Sequence, residues 1–190
     1  PVLEPQSSGS PVGGPYGRIY VDRRFGFSVE YTGQFDASRV ESASTSGVRF
    51  TFPNRYDRSA GLSGGVLAVE AGAVRPGTTA AAGLAAAMRG VCPNATVAYN
   101  LSSASIGYQR GSGAVVDCSM ASGVASSLGI RCALETAVRH NLMIFVESCG
   151  ATMSPRSFQK YLGGGHPSVA DFAVATVSDY EINSVVWPRR

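Results

Sequence analysis

Lysine is almost missing from this chain. Among 190 residues there is one, Lys160, against fifteen arginines. That scarcity closes one route to chemistry at once. Ser157-Phe158-Gln159-Lys160 matches the S-x-x-K pattern of penicillin-recognising serine enzymes, but the later Lys-Thr-Gly element needs a second lysine, so a helix-surface serine and lysine is the better reading. Charge is scarce as well: 15% of residues are charged and the net charge is +3. A balance so small and dispersed excludes a nucleic-acid surface. The two histidines, His140 and His166, have no ligand-like spacing, and none of the four cysteines stands in a C-x-x-C pair, which argues against a zinc site. No Walker loop and no G-x-S-x-G elbow is present. No apolar run approaches the ~20 residues needed to span a bilayer.

What remains is a 44% hydrophobic, Gly- and Ala-rich chain long enough for one domain with a sizeable core. Residues 1–17, opening PVLEPQSSGSPVGGP, have no periodicity and read as a flexible linker. A chain that opens in a linker is expected to follow an anchor or export signal, with the domain occupying 18–190. An even number of cysteines on strand-like segments favours disulfides, and hence an oxidising compartment.

The apolar pattern predicts an α+β fold, an antiparallel sheet of about seven strands with helices packed on it. Phe25, Phe27, Val29 and Tyr31 alternate with polar neighbours, so 19–31 reads as one half-buried strand. Residues 34–46 read as polar and irregular. Val48, Phe50 and Phe52 mark a strand that stops at Pro53. Residues 65–74 are apolar on both faces and so predict a central strand. Thr78 or Thr79 can cap an Ala-rich helix ending at Gly90, with Leu84 and Met88 on one face. Two short strand-like runs follow, then strands at 114–120, 130–138 and 142–149. Gly111-Ser112-Gly113 reads as a hairpin turn. Ser154-Pro155 starts a helix to Leu162, residues 169–182 read as a further helix, and Trp187 is expected to pack back on the body ahead of a frayed end.

The cysteines sharpen the 114–149 stretch. If His140-Asn141 is a two-residue hairpin turn, residues whose numbers sum to 281 face each other, and Cys132 meets Cys149 at a non-hydrogen-bonded site where side chains lie closest. Folding 121–129 about Ala125 places Cys118 opposite Cys132. Cys118 and Cys149 would then be separated by a whole strand, about 9–10 Å, too far for a disulfide. Cys92 is left to pair with Cys118 or Cys149, and Cys92–Cys118 with Cys132–Cys149 is the preferred set.

Other candidates are weaker. Asp117 and Glu135 fall on neighbouring strands near Arg131 and Arg139, and read as a solvated sheet face more readily than as an acid/base pair. A dispersed triad built on His140 or His166 is a third-rank reading. Asn94-Ala95-Thr96 and Asn100-Leu101-Ser102 match the glycan acceptor pattern. Tyr16, Tyr20, Tyr56, Tyr99 and Tyr108 could rim an apolar groove; packing on the sheet is the simpler expectation.

The segment Tyr20-Val21-Asp22-Arg23-Arg24-Phe25-Gly26-Phe27-Ser28-Val29-Glu30-Tyr31 resembles the opening of PsbP-like domains and of the mycobacterial LpqN lipoprotein group. The order that follows is similar too: strands, one Ala-rich helix, a strand meander and a closing helix. The resemblance spans roughly residues 19–162, and departs at Thr32, where those families commonly place proline. It implies a PsbP-like α/β/α sandwich with no catalytic residues and no cofactor. It also implies an extracytoplasmic protein of a mycolic-acid-forming actinobacterium, tethered on the periplasmic side of the inner membrane. The expected role is support of trehalose monomycolate transport through contacts with a membrane transport protein or other envelope protein. A small-ligand or lipid-binding domain is the alternative.

Overall fold

Leu142–Cys149 sends apolar side chains to both of its faces, and two cores grow from that alternation. The computed structural model describes residues 17–32, 36–51, 66–91, 94–101, 103–119, 129–149 and 182–189. The described strands are β1 (Gly17–Val21), β2 (Ser28–Thr32), β3 (Asp36–Glu41), β4 (Thr45–Thr51), β5 (Val66–Ala73), β6 (Thr96–Leu101), β7 (Ser105–Ile106), β8 (Gln109–Ser119), β9 (Gly129–Arg139) and β10 (Leu142–Cys149), with helix α1 at Ala80–Val91. Eight strands form one antiparallel sheet in the order β3-β4-β5-β10-β9-β8-β6, with β7 paired to β8; β1 and β2 form a separate ribbon. The residues expected to form helices after Ser154 lie outside the described residues, as do Ser157, Lys160, His166, Tyr16 and Tyr56.

One face of the large sheet carries Val48, Phe50, Leu67, Val69, Ile144 and Val146, packed against Tyr20, Phe27, Val29 and Tyr31 of the ribbon segment and against Ile182, Val185 and Trp187. The other carries Ala114, Val116, Cys132 and Leu134, packed against Leu84 and Met88 of α1. The sheet is therefore covered on both sides, which is why β5, between β4 and β10, is apolar on both faces as expected. Thr79 caps α1 by accepting from the Ala82 N–H at 3.2 Å. The helix lies close on the sheet at Gly83, where an added Cβ would stand 2.4 Å from Met143 Sδ. Thr136 Oγ1, fully buried, donates to the Ala80 carbonyl at 2.6 Å and fixes the helix start. Among the described residues no helix is long and apolar enough to cross a membrane.

The β9–β10 register is the predicted one. Arg139 faces Leu142 and Cys132 faces Cys149. His140 and Asn141 both take positive φ, 51° and 62°, the geometry of a type I′ turn. The two cysteines form a disulfide with Cα atoms 4.0 Å apart.

Several expectations are corrected. Residues 19–31 are not one strand but β1, a turn over Asp22–Phe27, and β2. The stretch taken as irregular contains β3 and the start of β4. Gly111-Ser112-Gly113 is inside β8, and the turn lies earlier, at Gly107-Tyr108. Those glycines mark close approach: a Cβ on Gly111 would stand 2.1 Å from the Thr136 carbonyl oxygen. Across β8 and β9, Cys132 pairs with Val116 while Cys118 pairs with Ile130, so the register is two residues away from the one obtained by folding about Ala125. β9 still separates β8 from β10, which keeps Cys118 and Cys149 two strands apart. Cys92 and the Cys118 side chain lie outside the described residues. Trp187 does pack back on the body, as expected: it is buried and its indole N–H donates to the Ile106 carbonyl at 2.9 Å.

Candidate functional site

Hydropathy alone would bury Ile19 and Val21 and expose Asp22. The structure does the reverse. Asp22 is 1% exposed, whereas Ile19 and Val21 are 54% and 48% exposed. Asp22 is affordable inside because its carboxylate is fully engaged. Oδ1 accepts from the main-chain N–H of Phe25 at 2.7 Å and of Arg24 at 3.0 Å, an Asx-type turn. Oδ2 accepts from Ser46 Oγ at 2.6 Å and lies 2.9 Å from the Tyr20 hydroxyl. That hydroxyl is also 2.9 Å from the Gly47 carbonyl, so its one proton is shared between two acceptors. Burial pushes the Asp22 carboxyl up, but the bonds from Ser46, Phe25, Tyr20 and Arg24 outweigh it and leave the group below the usual range. Burial and the Asp22 carboxylate push the Tyr20 phenol up. The result is a knot tying the ribbon to β4.

A second tie holds the ribbon from its other side. Ser28 and Val186 exchange main-chain bonds at 3.1 and 2.8 Å. Ser184 Oγ accepts from the Glu30 N–H at 2.9 Å and donates to the Glu30 carbonyl at 3.0 Å. The same segment, 182–189, reaches the β7–β8 turn, where the Gly107 N–H donates to the Ile182 carbonyl at 2.9 Å. A side chain at Gly107 would meet the Val185 carbonyl oxygen at 2.0 Å, so only glycine lets the turn sit there. Segment 182–189 is thus a clasp between the ribbon and the β7–β8 turn.

Ribbon, clasp and turn each expose apolar side chains. Ile19, Val21, Val186 (59% exposed) and Tyr108 (87%) are four of the six exposed large hydrophobic residues among those described. Val21 and Val186 flank Ser28 on its two sides in register. Tyr108 adopts φ 63° at the tip of its turn, an uncommon conformation for an aromatic residue, which the turn holds in place. The two others, Val97 and Tyr99, lie on the edge strand β6, whose pairing with β8 is interrupted by a bulge between them. The expectation that the tyrosines simply pack on the sheet holds for Tyr20 and fails for Tyr108.

The candidate chemical groups do not converge. Asp117 pairs in register with Arg131, and Glu135 with Gly113, four positions away, about 13 Å along the strands. Glu135 Oε2 instead accepts from the Ser105 N–H at 3.2 Å. His140 is an exposed turn residue, and Asn94 and Asn100 are exposed. Cys132, Glu147 and Cys149 offer ligand atoms within 4.8 Å of one another, but the disulfide leaves no thiolate to bind a cation.

Glu147 is a site of latent instability. Burial pushes its carboxyl up, Arg49 opposes this, and Glu70 adds to it. A carboxyl whose folded pKa is raised weakens the fold when ionised, and that penalty disappears below its unfolded pKa. We therefore expect this group to cost the fold stability at neutral pH, and that cost to disappear as pH falls through its raised pKa toward the ordinary carboxylate range. Glu147→Gln should raise the melting temperature at pH 7 and flatten that pH dependence; an unchanged pH profile in the variant would contradict it.

No protein-family model and no curated relative matches this chain. Solved structures do. The Ran-binding protein Mog1p of Saccharomyces cerevisiae superposes with a TM-score of 0.61 at 7% identity, covering 90% of this chain and 94% of that one. A single-site mutant of Mog1 gives 0.56 at 6%, covering 85% and 90%. Cyanobacterial PsbP, CyanoP from Synechocystis, gives 0.50 at 14%, covering 96% and 99%. The fold is PsbP-like. At these identities the likeness shows the fold alone. Within the PsbP-like frame the ribbon segment that carried the sequence resemblance is the part that builds the Asp22 knot and the exposed face.

Proposed function

We propose that this PsbP-like domain is a non-enzymatic accessory protein of the bacterial cell envelope that acts through protein contacts. On this reading it supports glycolipid transport, that of trehalose monomycolate first, in the manner of the transport factor TtfA, from a tethered position on the periplasmic side of the inner membrane. The observation that carries the reading is the exposure of Ile19, Val21 and Val186 on the ribbon and clasp, with Tyr108 exposed on the turn the clasp holds, since clustered exposed apolar residues mark interaction surfaces. The Cys132–Cys149 disulfide supports an oxidising compartment. The neighbour Mog1p is itself described as Ran-binding, a precedent for protein contact on this fold.

The test is a crosslinked pull-down from the native membrane with the wild-type chain and with a Val21→Glu/Tyr108→Ser variant. Both substitutions fall on exposed side chains, so the melting temperature should hold. A defined membrane protein recovered with the wild type and reduced at least tenfold with the variant is the expected result. Recovery of no membrane protein, or equal recovery with both chains, would overturn the reading.

A further inference from the structure

The ribbon's outer edge carries more information than its apolar surface. Asp22 donates its N–H to the Phe27 carbonyl at 2.8 Å, which sets the ladder phase between β1 and β2. In an antiparallel pair, alternate residues bond to the partner and the ones between point their N–H and C=O away from it. Tyr20 and Arg18 therefore bond toward β2, while Ile19 and Val21 point their main-chain groups outward. Their opposite numbers on β2 obey the same phase: Ser28 and Glu30 turn their main-chain groups to the clasp. The four outward groups of Ile19 and Val21 have no partner among the described residues. An unpaired edge of this kind is a template for another strand.

Charge selects the strand. Arg18 lies at the start of β1. Arg23 lies in the turn that ends it, and Arg189 follows Pro188, which packs at Gly26 of that turn. All three are exposed, and the Arg39–Glu41 ion pair involves none of them. Arg24 is occupied by the Ser42 and Ala43 carbonyls at 2.9 and 2.6 Å. Glu30, opposite Ile19, is the one acidic side chain on the outer face of the ribbon, and it is half-buried. A second copy of this edge would set arginines against arginines, so self-pairing is disfavoured.

We infer that the β1 edge receives an extended acidic segment of the partner protein as a third strand of the ribbon, bonded to the main chain at Ile19 and Val21, with its carboxylates toward Arg18 and Arg23. The inference rests on the protein-contact reading above and names the partner's chemistry at that same face.

The probe is an array of heptapeptides in which Glu alternates with Val or Ile, with the same peptides carrying Lys for Glu as control. The wild-type chain should retain the acidic set and not the basic one. Ile19→Pro removes only an outward N–H, so the β1–β2 ladder survives while acidic-peptide binding falls at least tenfold. Ile19→Thr, which keeps the N–H, should fall less than threefold. Should Ile19→Pro fail to fold, Arg18→Glu/Arg23→Glu serves instead and should exchange preference toward the basic set. Equal retention of both sets overturns the inference, as does unchanged binding by Ile19→Pro. Absence of peptide binding together with cosedimentation on phosphatidylglycerol vesicles overturns it in favour of a membrane surface. If the membrane pull-down still recovers its protein with Ile19→Pro, docking at this face stands and strand addition falls.

Discussion

Replacing Asp22 by alanine should cost about 3–5 kcal/mol of folding stability, the range for removing one member of a buried, hydrogen-bonded charged group. The carboxylate satisfies Ser46 Oγ, the Tyr20 hydroxyl and two main-chain N–H groups. Alanine leaves them facing a space where water has little access, because Asp22 and Ser46 are buried. Urea unfolding at pH 7 should show the midpoint shift at nearly constant slope. The pH dependence has a fixed sign. The folded pKa is depressed, so the stabilisation is complete above the ordinary carboxylate value of about 3.9 and is lost as pH falls through the depressed one. Asp22→Asn should flatten that acid limb. A loss under about 1 kcal/mol for the alanine variant would mean that the ribbon is held by its apolar contacts and the clasp, and not by the Asp22 knot.

Removing the Cys132–Cys149 bridge should cost about 3 kcal/mol, the chain-entropy value for a loop closed over a separation of 17 residues. The Cys132→Ala/Cys149→Ala chain should unfold at a lower urea concentration than the wild type kept without reductant, by that amount. Non-reduced peptide mapping should recover the two segments joined. Thiols at both positions open to alkylation in protein isolated without reductant would contradict the bridge and, with it, the oxidising compartment.

How much of this was legible from residues depends on how local the cause is. The β9–β10 hairpin was readable because His140-Asn141 sets the turn and the turn sets every pair down to Cys132–Cys149. Helix α1 was readable from Thr79, the alanines and the Leu84–Met88 spacing, though it runs through Gly90 to Val91. The β8–β9 register was not, because nothing in that connection marks its centre. β3 does not show in the pattern because it is a polar edge strand, DASRVE, whose core-facing side offers only Ala37 and Arg39 and so imposes no apolar alternation. The ribbon was misread for a different reason. Asp22 is buried by partners up to 24 positions away, and Phe25, which continues the alternation of Phe27, Val29 and Tyr31, belongs to the turn. The exposed face is built from three separated segments, at residues 19–21, 107–108 and 186, and no local pattern joins them. Only the inverted burial of Ile19, Val21 and Asp22 reveals it, and that requires the fold.

The central claim is that this face, and not the helix side of the sheet, meets a protein in the envelope. Site-specific photocrosslinking in the native membrane tests it most directly, with the crosslinking side chain placed in turn at Val21, at Tyr108 and, on exposed helix α1, at Arg89. The account predicts one discrete protein adduct from Val21 and Tyr108 and none from Arg89. Adducts from Arg89 alone, or from all three positions equally, would contradict it.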